Sequence, residues 1–110
     1  MLDLRLYMAQ RLSAMVMIPL TLGHLAVMIY AMRGGLTGGE ILARTQGSLF
    51  WFLFYGTFVA AVSVHGAIGL RVIVHETFGT RGRALMLLTW GSCLVLFLMG
   101  ARAVLAVTLA

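Results

Sequence analysis

The 110-residue chain has no lysine, only three acidic residues, one cysteine and one proline. Charged residues make up 10% of it, whereas an average soluble domain has roughly 25%. This low charge argues against an ordinary soluble domain. Cys93 has no second cysteine in the chain with which to form a disulfide, and it is most simply a small buried apolar residue.

Apolar residues dominate instead, at 62% of the sequence. Three apolar stretches, at about 12–32, 48–72 and 84–109, are each long enough to cross a hydrocarbon core about 30 Å thick, which needs about 20 helical residues. The sequence therefore predicts an all-α membrane protein, with residues 1–110 forming one domain of three transmembrane helices. Pro19 predicts a bend in the first helix, because proline removes a backbone hydrogen-bond donor.

The segments outside the apolar stretches are short. The first stretch exceeds the usual 7–15 or so apolar residues of a signal peptide, so we interpret it as a retained span. Residues 34–47 hold five glycines and predict a flexible connection. Without a lysine, this segment does not fit a phosphate-binding loop.

All eight basic residues are arginines, and they are unevenly divided between the ends of the predicted spans. An excess of arginine in short segments indicates the cytoplasmic side. The N-terminus is therefore predicted to be cytoplasmic and the C-terminus to lie outside. The charges form no dense run, so no nucleic-acid partner is expected. No transit peptide precedes the first span, which favours a prokaryotic cytoplasmic (inner) membrane. The cytoplasmic group is Arg5, Arg11, Arg71, Arg81 and Arg83.

Two histidines, His24 and His65, lie inside predicted spans. Ionisable side chains within a membrane are costly and usually face a protein interior, so each indicates a function. From a helical rise of 1.5 Å per residue, His65 lies roughly 9 Å from the level of Arg71, and His24 lies roughly 20 Å from that of Arg11. Two axial imidazoles on one iron need nearly the same depth, so these two would serve separate metal centres.

A neutral imidazole in a membrane bundle suits haem iron. Gly69, one helical turn from His65, would leave a groove for a porphyrin edge. Arg71 and His75 would then be available to the haem propionates. The alternative is that each intramembrane histidine makes a structural hydrogen bond to a neighbouring helix.

The segment HGAIGLRVIVHE at 65–76 resembles the second-helix motif of the membrane anchor subunits of succinate dehydrogenase and fumarate reductase, H-x-x-x-G-[IL]-R-x-x-x-x-[DE]. The segment QRLSA at 10–14 is similar to the first-helix motif of that family, H-R-x-[ST]-G. Arg11 and Ser13 match this motif, whereas Gln10 replaces its histidine and Ala14 replaces its glycine. The three-helix layout of the whole chain also resembles the family.

The resemblance implies an anchor that binds haem b and passes electrons between an iron-sulfur subunit and membrane quinone. It implies further partners, namely a flavoprotein subunit with FAD and a second membrane anchor subunit. His65 would be an axial ligand of the haem nearer the cytoplasm. Arg11 and Ser13 would contact quinone or a propionate, with Tyr7 as a further quinone candidate.

His24 lies about forty residues before His65, a spacing typical of two-haem members of this family. We therefore predict a second haem b near the outer face, with His24 as its ligand. Arg102 or Arg33 would be available to its propionates, although Arg102 can instead extend to the interface. Because the chain offers one histidine at each depth, each haem would be shared with a partner chain.

Three alternatives remain open from the sequence. The chain could be a haem-free, quinone-binding anchor of a fumarate reductase-type complex, a plain structural anchor, or a small subunit of a proton-coupled transporter. The transporter is the least favoured on residues, since Asp3, Glu40 and Glu76 all lie outside the apolar stretches.

Overall fold

The computed structural model describes residues 3–109, and within them it has four helices. Three of these helices are long and apolar enough to cross a membrane. The prediction of an all-helical protein with three membrane spans is therefore confirmed. The helices are α1 (Leu4–Arg33), α2 (Gly38–Thr45), α3 (Leu49–Phe78) and α4 (Gly82–Thr108).

Two of the spanning helices extend beyond the apolar stretches that predicted them. The carboxylate of Asp3 accepts a hydrogen bond of 2.9 Å from the backbone N–H of Leu6, which caps α1 well before residue 12. The helix α3 ends only at Gly79, whose φ of +68° is a conformation that glycine adopts readily. As a result, residues 79–81 alone separate α3 from α4. The helix α1 continues through Pro19 without interruption.

The connection between α1 and α3 contains the short helix α2, which was not predicted from the sequence; the flexibility of this connection stays a prediction. The hydroxyl of Thr37 accepts from the N–H of Glu40 at 3.2 Å, and the Glu40 carboxylate accepts from the N–H of Thr37 at 3.2 Å. The backbone N–H and the hydroxyl of Thr37 both donate to the Glu40 carboxylate, and with Arg44 nearby they lower the pKa of this carboxyl. The Thr45 hydroxyl also donates to the carbonyl of Val107 at 2.7 Å. The helix α2 is therefore held against the end of α4.

The helix α3 lies between α1 and α4 and packs against both. Three of its four buried residues are small, namely Ala61, Ser63 and Ala67, and small residues allow helix backbones to approach closely. Most large apolar side chains lie exposed on the outside of the bundle. This arrangement suits a protein whose surroundings are lipid.

The two ends of the bundle differ in charge. Ser13 on α1 contacts His65 on α3, and Arg71 on α3 contacts Thr89 on α4. The start of α1, the end of α3 and the start of α4 therefore lie at one end, which we call the basic end. The other end, which we call the α2 end, carries fewer arginines. The arginines of the basic end are Arg5, Arg11, Arg71, Arg81 and Arg83.

Candidate functional site

His65 faces α1, where the Ser13 hydroxyl oxygen lies 3.4 Å from His65 Nδ1. The same hydroxyl donates to the Gln10 carbonyl at 3.0 Å. A hydroxyl has a single hydrogen, and with that hydrogen on the Gln10 carbonyl the Ser13 oxygen is free to accept the hydrogen of His65 Nδ1. This tautomer leaves a lone pair on Nε2, which is the form of imidazole that binds a metal ion.

An open groove of about 390 Å³ runs beside the half-buried His65 ring. Its other walls come from α1 and are mainly apolar. A flat apolar group could therefore approach the imidazole from the side of the bundle. The α1 residues of the groove are Ala14, Met17, Ile18, Thr21 and Leu22.

Gly69 lies one turn beyond His65, as predicted, but the space beside it faces Gln10. A Cβ placed on Gly69 would lie 3.7 Å from Gln10 Nε2. Within residues 3–109, the buried Oε1 of Gln10 has no hydrogen-bond partner, although burying an unpaired polar atom is costly. Gln10 is thus a candidate functional residue that the sequence reasoning missed. The sequence did contain an indication of this residue, because Gln10 replaces the histidine of the first-helix motif.

Arg71 and His75 face α4 rather than α1. Arg71 Nη1 donates to the Thr89 hydroxyl at 3.1 Å. His75 Nδ1 lies 2.8 Å from the carbonyl of Thr80, which only accepts, so Nδ1 carries the hydrogen. The structure therefore does not bring these two residues to the face of α3 that presents His65. Their predicted role with haem propionates gains no support from this geometry.

The three predicted quinone contacts are divided between two faces of α1. Arg11 Cζ lies 5.8 Å from the centre of the Tyr7 ring, a cation–π contact, and both side chains are exposed. Ser13 is instead buried against His65. Only Tyr7 and Arg11 therefore form a common surface at the basic end.

His24 lies nearer the α2 end and packs against two aromatic rings of α3. Its ring centre is 5.5 Å from that of Tyr55, edge-on, and 5.8 Å from that of Phe58. In the part of the chain that the structure describes, the buried Nδ1 of His24 has no hydrogen-bond partner. A buried unpaired nitrogen is costly, so the site is chemically incomplete without a further group.

A cavity of about 580 Å³ adjoins His24 and is lined by residues from all four helices. Its walls are mainly apolar, and Gly100 and Ala103 are among its α4 residues. Arg102 is exposed on a different face of α4, and Arg33 is exposed at the end of α1. The structure does not bring either arginine into this cavity, so their predicted role with propionates also stays a prediction.

The two histidines lie at different heights. Ser13, beside His65, is eleven residues from His24 on α1, which corresponds to roughly 16 Å. Tyr55, beside His24, is ten residues from His65 on α3, which corresponds to roughly 15 Å. This geometry agrees with the inference that the two imidazoles cannot share one metal ion.

Each histidine also stands apart from other metal-binding side chains. Among the described residues, no three His, Cys, Asp or Glu side chains come together as a metal site. A metal ion bound by either His24 or His65 would therefore need ligands from outside this chain.

Comparison with known families matches residues 2–101 to the family described as succinate dehydrogenase/fumarate reductase transmembrane subunit. No curated protein and no solved structure matches the chain. The match spans nearly the whole bundle, including Ser13, His24 and His65. The chain therefore belongs to the succinate dehydrogenase/fumarate reductase transmembrane subunit family and is a multi-pass membrane anchor subunit.

Proposed function

We propose that this anchor binds haem b and passes electrons between an iron-sulfur subunit and membrane quinone in a succinate:quinone oxidoreductase. The observation that carries this proposal is the contact between Ser13 and His65 at 3.4 Å. It directs the Nε2 lone pair away from the hydroxyl and thus prepares the imidazole for iron. Metal-binding histidines in general use their second ring nitrogen for such a hydrogen bond.

The residues at both heights suit a haem. His65 has its Nδ1 against the Ser13 hydroxyl and lies beside an apolar groove of about 390 Å³. His24 has a buried Nδ1 beside an apolar cavity of about 580 Å³. Haem supplies one-electron redox chemistry when bound. The residues of this chain would supply one ligand at each height, orient it, and tune the redox potential through apolar burial.

A second anchor subunit would provide the other axial ligand of each haem, because this chain offers one histidine at each height. The flavoprotein subunit with FAD and the iron-sulfur subunit would dock at the basic end. By the positive-inside rule, that end faces the cytoplasm of a prokaryotic inner membrane, with the N-terminus inside and the C-terminus outside. Electrons would then enter the membrane on the side nearer His65.

Quinone would bind at the basic end, where Tyr7 and Arg11 form an exposed pair. The side chain of Gln10, next to Arg11 in the sequence, lies beside Gly69 on α3, and its amide offers both a donor and an acceptor for the oxygens of a quinone or quinol. The hydroxyl of Ser13 already contacts His65 and Gln10. We therefore assign Ser13 to the haem ligand rather than to quinone.

A haem-free anchor is the second candidate, and one observation favours it. The buried Nδ1 of His24, between Tyr55 and Phe58, suits a quinone oxygen as well as it suits iron. In that case the histidines would assist quinone binding or protonation. A reduced-minus-oxidised absorption spectrum of the purified complex distinguishes the candidates, because only the haem anchor gives b-type bands.

Substitution of His65 tests the haem proposal at the residue level. His65→Leu should remove the haem centre nearer the basic end while leaving the other subunits assembled. His65→Met should retain a haem with a higher midpoint potential, because a thioether is an accepted iron ligand. Unchanged haem content and midpoint potentials in His65→Leu would overturn the proposal. Subunit composition of the purified complex shows whether each variant has assembled.

A further inference from the structure

A second polar site lies at the basic end, between α3 and α4. It is a pocket of about 310 Å³ that opens beside the short connection between these helices. It is distinct from the His65 groove, because Arg71 and His75 face α4 whereas His65 faces α1. Three of its lining residues can carry positive charge. The lining is Arg71, His75, Arg81, Gly82 and Leu85.

The donors of this pocket are only partly used by the protein. Arg71 Nη1 donates to Thr89 at 3.1 Å, but a guanidinium carries five N–H donors. The buried Nε of Arg71 has no partner among the residues that the structure describes. His75 uses the hydrogen of Nδ1 on the Thr80 carbonyl at 2.8 Å, so its Nε2 donates to an anion only when the ring carries a second hydrogen. Arg81 is exposed at the rim.

The start of α4 adds to the positive character of the pocket. Arg81 is the N-cap residue and, in the described part of the chain, provides no side-chain hydrogen bond to the first turn. The first backbone N–H groups of a helix lack partners within the helix and favour negative charge. Gly82, the first residue of α4, lines the pocket. Two arginines and a helix N-terminus therefore face one volume, which is suited to an anion.

The height of the pocket indicates the kind of anion. Arg71 lies seven residues before the end of α3, roughly 10 Å inside the helix. The pocket thus extends from the apolar span to the basic segment at 81–83, where lipid phosphates lie next to the hydrocarbon core. Basic pockets between membrane helices on the cytoplasmic side are suited to anionic lipid head groups. We infer that this pocket binds the phosphate of an anionic phospholipid.

Two arginines of the same exposed segment allow a matched test. Arg81 lines the pocket, whereas Arg83 lies just beyond its lining, and both are exposed. Arg81→Gln and Arg83→Gln remove the same charge from nearly the same place. Binding of labelled phosphatidylglycerol to the purified complex is measured for both variants, with phosphatidylcholine and inorganic phosphate as competitors. This test uses no haem signal, so its outcome is independent of the proposed function.

We expect Arg81→Gln to weaken phosphatidylglycerol binding about tenfold, because a charge-assisted hydrogen bond is lost. Arg83→Gln should change it by no more than about twofold, since an exposed charge acts through screened attraction alone. Phosphatidylcholine should not compete. Equal losses in the two variants would overturn the site in favour of diffuse attraction.

Two further outcomes would overturn the lipid assignment. Inorganic phosphate that competes at the same concentration as the lipid would show that free phosphate is the ligand. Loss of a neighbouring subunit from the Arg81→Gln complex, with lipid binding unchanged, would show that the pocket binds an acidic side chain of that subunit.

Discussion

His65 and His24 are the same side chain at two heights of one bundle, and different interactions hold them. The His65 ring is half-buried and contacts a hydroxyl on the neighbouring helix. The His24 ring is held by the edge of Tyr55 and by Phe58, and it borders a larger cavity. A contact with a hydroxyl thus orients one imidazole, whereas aromatic packing holds the other.

This difference means that the two histidines respond to different changes. Removal of the Ser13 hydroxyl acts on His65, and a change in the shape of the cavity acts on His24. Because the two rings are roughly 15 Å apart along α3, each change should leave the other site intact.

The largest expected effect is the loss of one redox centre in His24→Leu. The centre nearer the α2 end should disappear, and the centre at His65 should remain because no ligand of it has changed. Haem content per complex should fall by half, as measured from reduced-minus-oxidised spectra. Loss of both centres in an assembled complex would contradict the separation of the two sites.

A smaller effect is expected from Gly100→Ala, which changes the wall of the His24 cavity. The new Cβ would lie 2.5 Å from Cγ1 of Val59 and 3.0 Å from its Cγ2. Val59 is β-branched and stiff in a helix, so α3 and α4 must separate. We expect a loss of about 1–3 kcal/mol in the free energy of unfolding, measured by denaturation in detergent.

Gly91→Ala is the matched control on the same helix. Among the described residues, nothing lies within 4 Å of a Cβ at Gly91, and alanine is favoured over glycine inside a helix, so this variant should be at least as stable as the native chain. Val59→Ala should relieve the effect of Gly100→Ala in the double variant. Equal stability of the Gly100→Ala and Gly91→Ala variants would show that the contact between Val59 and Gly100 does not limit packing.

Ser13→Ala should act on the His65 site alone. Loss of the hydrogen-bond acceptor frees the tautomer and ring orientation of His65, and such losses lower metal affinity about tenfold or more. The electron paramagnetic resonance spectrum of the ferric haem reports the orientation of its axial imidazoles. We expect the signal of one centre to shift in this variant.

Two variants serve as controls for Ser13→Ala. Ser13→Thr retains the hydroxyl and should restore the native signal. Ser92→Ala removes a serine that donates to Leu88 and Thr89 of its own helix, and it should shift neither centre. A shift of both centres in Ser13→Ala would indicate a general distortion rather than a role at His65.

The smallest effect is expected from Thr37→Ala, which removes the cap of α2 beside the His24 cavity. Amide hydrogen exchange in α2 should become roughly fivefold faster, the factor expected from the loss of one N-cap.

The lowered pKa of Glu40 adds a pH dependence to the stability of α2. The Glu40 carboxylate stabilises α2 fully at a pH above 4.5, the usual pKa of this group, and the stabilisation is lost as the pH falls through the lowered pKa. Protection factors of the α2 amides, which are corrected for the intrinsic pH dependence of exchange, would contradict this if they stayed constant from neutral pH to below the lowered pKa of Glu40.

The sequence predicted the spans but not their ends. Apolar length indicates where a helix crosses lipid, whereas Asp3 and Gly79 determine where α1 begins and α3 ends through hydrogen bonding and backbone conformation. The capping pattern of Thr37 and Glu40 could have predicted the start of α2. The many glycines of this segment favoured a flexible connection instead. Helix boundaries therefore depend on single capping residues rather than on composition.

The sequence predicted which residues belong to the candidate sites, but it did not predict which of these side chains lie together. His24 and His65 follow from the cost of burying an ionisable side chain in a membrane. The contact between Ser13 and His65 depends on the rotation and register of α1 against α3, which no residue pattern specifies. For the same reason, the direction of Arg71 towards α4 could not be foreseen, whereas the exposure of Arg102 matches the alternative that it extends to the interface.

The haem content of the unmodified complex tests the central claim most directly. A pyridine haemochrome assay on the purified complex, with its subunits quantified, gives the number of haem b groups per copy of this chain. Two are expected, one each for His65 and His24. A fully assembled complex without haem b would contradict the account.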